Sequence, residues 1–245
     1  GGDAVTGSGS GVTNVSKSVN ADAGFSIVKY TGGGSASNTV EHGFDNQTPE
    51  LIIVKCISNS AFWCVWSNQL TSNYNLALNL QNAEFAANSG SNGGLGDATS
   101  SDITFVSGSV NLNTVNGSGR DYIAYCFRSV AGVSDFGTYN GLNGTDVKVY
   151  TDTNQDGTGV GAFEPSFVMV KKTTGTSNWA IFDSLRTGNN PTYNVIFASL
   201  ANAESTYSNV YGVQFDSDGF TVKGYPSGND TTNATGDSYI YMAFK

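Results

Sequence analysis

The stretch DTNQDGTG, Asp152 to Gly159, sets Asp152, Asn154 and Asp156 two residues apart and places Gly157 directly after them. Alternating oxygen-bearing side chains followed by glycine open a calcium loop, in which hard oxygen ligands surround the ion and glycine permits the tight turn. The twelfth position of such a loop carries Glu; here it is Phe163, with Glu164 one step late. A hairpin turn accounts for the same residues, because Asp and Asn side chains bond their own backbone. Calcium held by Asp152, Asn154 and Asp156 is one expectation and a plain turn the other; no further cofactor is expected.

A second set of residues has the chemistry of sugar recognition. Tyr193 and Tyr225 lie in polar loops, and Asn229 and Asp230 follow the second closely. An aromatic ring covers the apolar side of a pyranose while amides and carboxylates bond its hydroxyls. The plain alternative is that loops are polar and variable. Catalytic constellations are thin by comparison. The chain has one histidine, His42, in VEHGF, so any Ser-His-Asp or Cys-His arrangement would hang on that residue. Its counterpart in the repeat described below is Gly161, and a hydrogen-bonded turn histidine is the expectation. The acids sit in Gly- and Asn-rich loops such as FDSDG, where turn capping explains them better than a glycosidase pair. No enzyme is expected. Three cysteines make no disulfide framework; Cys56 and Cys64 could bridge neighbouring strands, or all three are small buried hydrophobes. Asn-x-Ser/Thr sequons stand at Asn14, Asn46, Asn116, Asn143, Asn229 and Asn233 and read as by-products of Asn, Ser and Thr richness.

The composition narrows the classes. Only 13% of residues are charged, against about 25% in typical chains, and hydroxyls and amides fill the gap, a balance common in extracellular β proteins. Eleven basic residues against 20 acidic give −9, and the basic ones never cluster, which disfavours nucleic acid. No apolar run reaches membrane-spanning length, and no cleavable signal is visible. The opening GGDAV without Met reads as part of a longer polypeptide.

The elements that must position these residues are written twice. ELIIVKCISNSAFWCVWSNQ (Glu50–Gln69) aligns without a gap on SFVMVKKTTGTSNWAIFDSL (Ser166–Leu185), pairing Pro49 with Pro165, Trp63 with Trp179 and Trp66 with Phe182. NGSGRDYIAYCF then aligns on NATGDSYIYMAF, pairing Asn116 with Asn233, Tyr122 with Tyr239 and Phe127 with Phe244. Upstream, KYTG resembles TYNG, so the second copy has gained residues before Phe163. The period is too long for a solenoid, and each copy, roughly 110 residues, is long enough to own a core. Within a copy, FSIVKYTG, ELIIVKC, FWCVWS, YNLALNL, ITFVSG, SVNLNT and DYIAYCF are short, β-branched or aromatic, and bounded by Gly, Asn and Ser. One window, Ser199–Asn209, reads as a short helix. Ile123, Tyr125 and Phe127 share one strand face, as do Ile240, Met242 and Phe244, and these are taken as the core faces; Trp63 and Trp179 are taken as core anchors. The opposite faces are also apolar, which asks for cover on both sides. The expected fold is all-β: two tandem β-sandwich domains of jelly-roll or lectin-like connection, 24–130 and 131–245, with residues 1–23 as an extended arm or linker.

AGFSIVKYTG, HGF…PELIIVK, DYIAYCF and SNWAIFDS together resemble a repeat module of marine bacteriophage virion proteins, particularly of cyanophage-like podoviruses and myoviruses. The likeness covers residues 24–245 and departs where VSDFGTYNG replaces GFSIVKYTG and GAF replaces HGF. It implies a non-enzymatic structural protein of the virion surface, as a tail fibre, an appendage or a capsid decoration. Homo-oligomerisation and contact with other virion proteins follow from it, with no membrane insertion. The alternative is a carbohydrate-binding adhesin module that attaches the particle to a host-surface glycan.

Overall fold

The computed structural model describes residues 3–89, 93–107, 112–186, 189–207, 211–225 and 231–245. The chain divides into two compact units, 1–78 with 84–128, and 79–83 with 129–245. Both are all-β, and every strand pairing is antiparallel.

The first unit contains β1 (Val5–Thr6), β2 (Gly9–Ser10), β3 (Thr13–Asn20), β4 (Phe25–Thr31), β5 (Thr39–Glu41), β6 (Leu51–Cys56), β7 (Cys64–Ser67), β8 (Tyr74–Ala77), β9 (Phe85–Ala86), β10 (Gly94–Leu95), β11 (Asp102–Val106) and β12 (Asp121–Phe127). One sheet runs β1-β3-β4-β12-β6-β7-β8-β9 and the other β10-β11-β5-β2. The second unit contains β13 (Ser134–Asn140), β14 (Val147–Tyr150), β15 (Phe167–Lys172), β16 (Trp179–Asp183), β17 (Asn194–Phe197), β18 (Ser205–Thr206), β19 (Val213–Asp216), β20 (Gly219–Val222) and β21 (Ser238–Phe244). Its sheets run β13-β21-β15-β16-β17-β18 and β14-β20-β19. Strand for strand, the order from β4 to β9 equals that from β13 to β18, so the written repeat is a repeated topology. In each unit the last strand is inserted into the large sheet, β12 between β4 and β6 and β21 between β13 and β15.

The core of each unit lies between its two sheets. Val28, Tyr30, Ile52, Val54, Trp66 and Tyr122 meet Val40, Leu95, Ile103 and Phe105 in the first. Val168, Val170, Phe182, Tyr239 and Tyr241 meet Val149, Val213, Phe215 and Phe220 in the second. This reverses the expected core face. Tyr122, Ala124 and Cys126 point inward, while Ile123, Tyr125 and Phe127 are half-buried on the other face, where the Phe25 and Phe127 rings lie 4.9 Å apart. The small Ala124 and Cys126 leave room for the facing sheet, and the tyrosine hydroxyls find main-chain partners at the sandwich end. On β21 both faces are buried, with Ile240 and Met242 covered as well as Tyr239 and Tyr241. The inward aromatic pair is accordingly Trp66 and Phe182; Trp179 is buried on the outer side of its strand, and Trp63 is half-buried.

Three further expectations change. Residues 3–23 are not a separate arm or linker but part of the first unit's sheets, because β3 pairs with β4 along Thr13–Asn20 and β2 pairs with β5. SVNLNT forms no strand in its described part: Asn113–Asn116 is a turn closed by the Val115 and Asn116 N–H groups on the Leu112 carbonyl. The window from Ser199 holds no helix in its described part; β18 instead pairs Ser205 with Val195 and Thr206 with Asn194.

Candidate functional site

The residues repeated most faithfully turn out to close one end of each sandwich. Asn116 is fully buried; its Oδ1 accepts from Gly33 N–H at 3.0 Å and its Nδ2 donates to Ser35 O at 2.8 Å and Asn38 Oδ1 at 3.1 Å. Asn233 repeats this, accepting from Leu142 N–H at 2.7 Å and donating to Thr145 O at 2.9 Å and Lys223 O at 3.3 Å. Tyr30 and Tyr139 donate to the carbonyls of Val115 and Thr232 at 2.5 and 2.6 Å. Tyr122 and Tyr239 accept from Gly117 and Ala234 N–H, each at 2.8 Å. The rings stack in pairs, Tyr30 on Tyr122 at 5.2 Å and Tyr139 on Tyr239 at 5.1 Å. Burial raises the phenols of Tyr30 and Tyr139 well above the ordinary range, so they stay protonated donors. Gly32 and Gly141 are required here, since a Cβ would stand 2.5 Å from Gly117 O and 2.2 Å from Ala234 O. Two of the sequons are therefore buried framework amides, whereas Asn14, Asn46 and Asn143 are exposed with left-handed backbone, Asn14 at the irregularity near the start of β3.

His42 is buried, accepts from Phe44 N–H at Nδ1 and donates from Nε2 to Thr99 O at 3.2 Å. Burial holds its pKa below the usual value, against the pull of the Thr99 bond, so it is a neutral structural imidazole. The three cysteines are buried and unbridged; burial pushes the Cys64 and Cys126 thiols up to about 12, far from a reactive thiolate.

In the DTNQDGTG loop the buried Asp152 carboxylate accepts backbone N–H groups from Asn154 at 3.1 Å, Asp156 at 3.3 Å and Gly159 at 3.1 Å. Asp156 Oδ1 caps Thr158, and Asn154 Nδ2 donates to Thr158 Oγ1. These side chains organise a turn whose carboxylate is lined by donors. At the tip, Gln155 has φ +57° and its Nε2 reaches the Asp135 carboxylate at 3.0 Å and Phe136 O at 3.2 Å. The loop thus sits on the outer edge of β13, the position that β3 occupies beside β4 in the first unit. Beyond Phe136, the exposed Thr138 and Asn140 pair with β21 on one side and, among the described residues, have no strand on the other.

Tyr193 and Tyr225 do come together. Their ring centroids are 6.4 Å apart at 60°, so neither ring covers the other's face. Tyr193 rests on Gly212, where a Cβ would stand 2.8 Å from its ring carbons. Burial, the hydrogen bond to Tyr193 and the nearby Asp146 charge all raise the Tyr225 phenol. Lys223 bridges to Asp146 beside the pair. Asn229 and Asp230 lie outside the described residues. Two further tyrosines extend the cluster: Tyr207 and Tyr211 lie 4.8 Å apart, and both rings contact Phe197. Sequence reasoning passed over them, yet the repeat held the signal. Tyr207 N–H donates to Tyr193 O just as Ala87 N–H donates to Asn73 O, so Tyr193 and Tyr207 stand where the first unit has Asn73 and Ala87. By the same register Phe197 stands for Ala77.

The first unit has its own concavities. One of about 280 Å³ is walled by Trp66, Leu70, Ser72 and Asp97. Burial pushes the Asp97 carboxyl up, but donors from Asn73 N–H, Ser72 and Trp66 Nε1 outweigh it and hold it below the usual range. Another, of about 500 Å³, holds Glu41, Asp45 and Asp102, with Glu41 bonded to Ser8 N–H and to Lys17.

The residues that the two units share are framework and their differences lie in loops, and a fold of this kind does not by itself assign a function. The chain belongs to the DUF7483 family, a domain of unknown function, whose model matches residues 1–245. No curated protein and no solved structure matches it.

Proposed function

We propose that the chain is a non-enzymatic structural module of a virion surface, of tail-fibre, appendage or capsid-decoration type, working as a homo-oligomer among other virion proteins. The observation that carries this reading is the use made of the repeated residues. Asn116 and Asn233, the Tyr30–Tyr122 and Tyr139–Tyr239 stacks, and Gly32 and Gly141 all close sandwich ends. What this sequence keeps from copy to copy is scaffold. The likeness of AGFSIVKYTG and DYIAYCF to phage virion repeats supplies the setting. The test is immunogold microscopy and mass spectrometry of purified particles with an antibody to this chain. Labelling of a fibre or of the capsid surface is expected; particles that consistently lack the chain would end the proposal.

A further inference from the structure

We propose that the tyrosine cluster of the second unit, Tyr193, Tyr225, Tyr207 and Tyr211, is a binding face for a neutral, pyranose-containing polysaccharide. The two units supply an internal control. They share strand order and register, and the first closes the corresponding corner of its core with Ala77 and Ala87 and places Asn73 at the loop. The fold therefore does not demand large rings there, yet the second unit carries Phe197, Tyr207 and Tyr193. Phe197 is buried and Tyr207 packs on it, but Tyr193, Tyr207, Tyr211 and Tyr225 all keep part of their surface in solvent, and aromatic rings that the shared fold does not require indicate a surface built for contact.

The geometry selects the kind of contact. The Tyr193 and Tyr225 rings meet at 60° instead of stacking, which leaves ring surface for the C–H face of a sugar. Gly212 lets the Tyr193 ring lie against main chain, which fixes its orientation. The Tyr225 phenol, raised by burial and by its hydrogen bond to Tyr193, stays protonated at neutral pH, and its oxygen is left to accept from sugar hydroxyls. Charge decides between glycans. The adjacent cation, Lys223, is already paired with Asp146, and the chain carries −9, so an acidic polymer finds no counter-charge.

The experiment is affinity gel electrophoresis of the full chain through gels containing dextran, starch, mannan, galactan or xyloglucan, with alginate as the acidic comparison. Retardation by at least one neutral polymer is expected, reduced tenfold or more in Tyr193→Ala and Tyr225→Ala and only partly in Tyr193→Phe. Because an alanine variant can lose its fold, oligosaccharides of the retarding polymer are also added to the unmodified chain. Tyrosine ring NMR signals should shift selectively, with the Tyr30 and Tyr139 signals unmoved. Absence of retardation by every neutral polymer, retardation by alginate alone, equal retardation in folded alanine variants, or tyrosine-dependent self-association without polymer binding would each overturn the proposal.

Discussion

At the scale of single residues, two buried groups make sharp tests. Asn233→Ala would leave Leu142 N–H and the carbonyls of Thr145 and Lys223 without their partner. The expected loss is about 2–4 kcal/mol, and Asn116→Ala should cost the same, both read from denaturant midpoints. Lys171 is fully buried, and its ammonium meets the carbonyls of Lys172 at 2.7 Å and Gln81 at 3.5 Å. Burial, helped by the neighbouring Lys172 charge, lowers its pKa from 10.5 to about 8. The unfolded chain then binds the extra proton between those values, so stability from this group rises as pH climbs through 8 toward 10.5. Lys171→Met should stabilise at pH 7 by about 1–3 kcal/mol, and the advantage should vanish by high pH in parallel unfolding curves. Asp152 already accepts three main-chain donors. Adding calcium or a chelator should therefore leave the thermal midpoint unchanged, and a calcium-dependent rise would favour the cation over the plain turn. The roles of Asn116 and Asn233 were half legible: their repetition marked them, but an Asn-x-Ser/Thr tripeptide looks the same whether it carries a glycan or seals a core.

At the scale of elements, strand identity was plain from β-branched and aromatic runs, SVNLNT apart, but strand facing was not. DYIAYCF is apolar on both sides, so alternation cannot choose a core face; the choice rests on where a phenol finds a carbonyl, which is tertiary information. The helix expected from Ser199 is absent from the described part of its window because Ser205–Thr206 pairs with β17 as a strand. Edge management was invisible as well. β3 covers β4, whereas β13 is guarded over half its length by the Val130–Ser134 bridge, Ser129 Oγ and Gln155, leaving Thr138 and Asn140 open among the described residues. Open edges recruit other strands. Gln155→Ala should cost about 1–2 kcal/mol and produce concentration-dependent association in sedimentation velocity, which the unaltered chain shows less or not at all.

At the scale of the whole molecule, the duplicated order of strands was legible because fold-forming hydrophobics repeat at fixed spacing. The assignment of residues 79–83 to the second unit was not, since nothing in LNLQNAE marks it. Gln81 O accepts from Ser177 N–H at 2.8 Å, and its amide donates to Asn178 Oδ1 at 2.6 Å. A fragment cut at Ser129 lacks these bonds and should melt below the same unit in the full chain; equal calorimetric midpoints would show the segment to be dispensable. The placement of β12 and β21 bears finally on biosynthesis. Each is made last in its unit yet must enter between two strands made long before, so the β3–β4 hairpin can form early while β4 and β6 wait for Asp121–Phe127 to leave the ribosome. A chain arrested before Ser238 leaves β13 and β15 without the strand that joins them, and translation has to reach Phe244 before that unit can hide its adhesive edges.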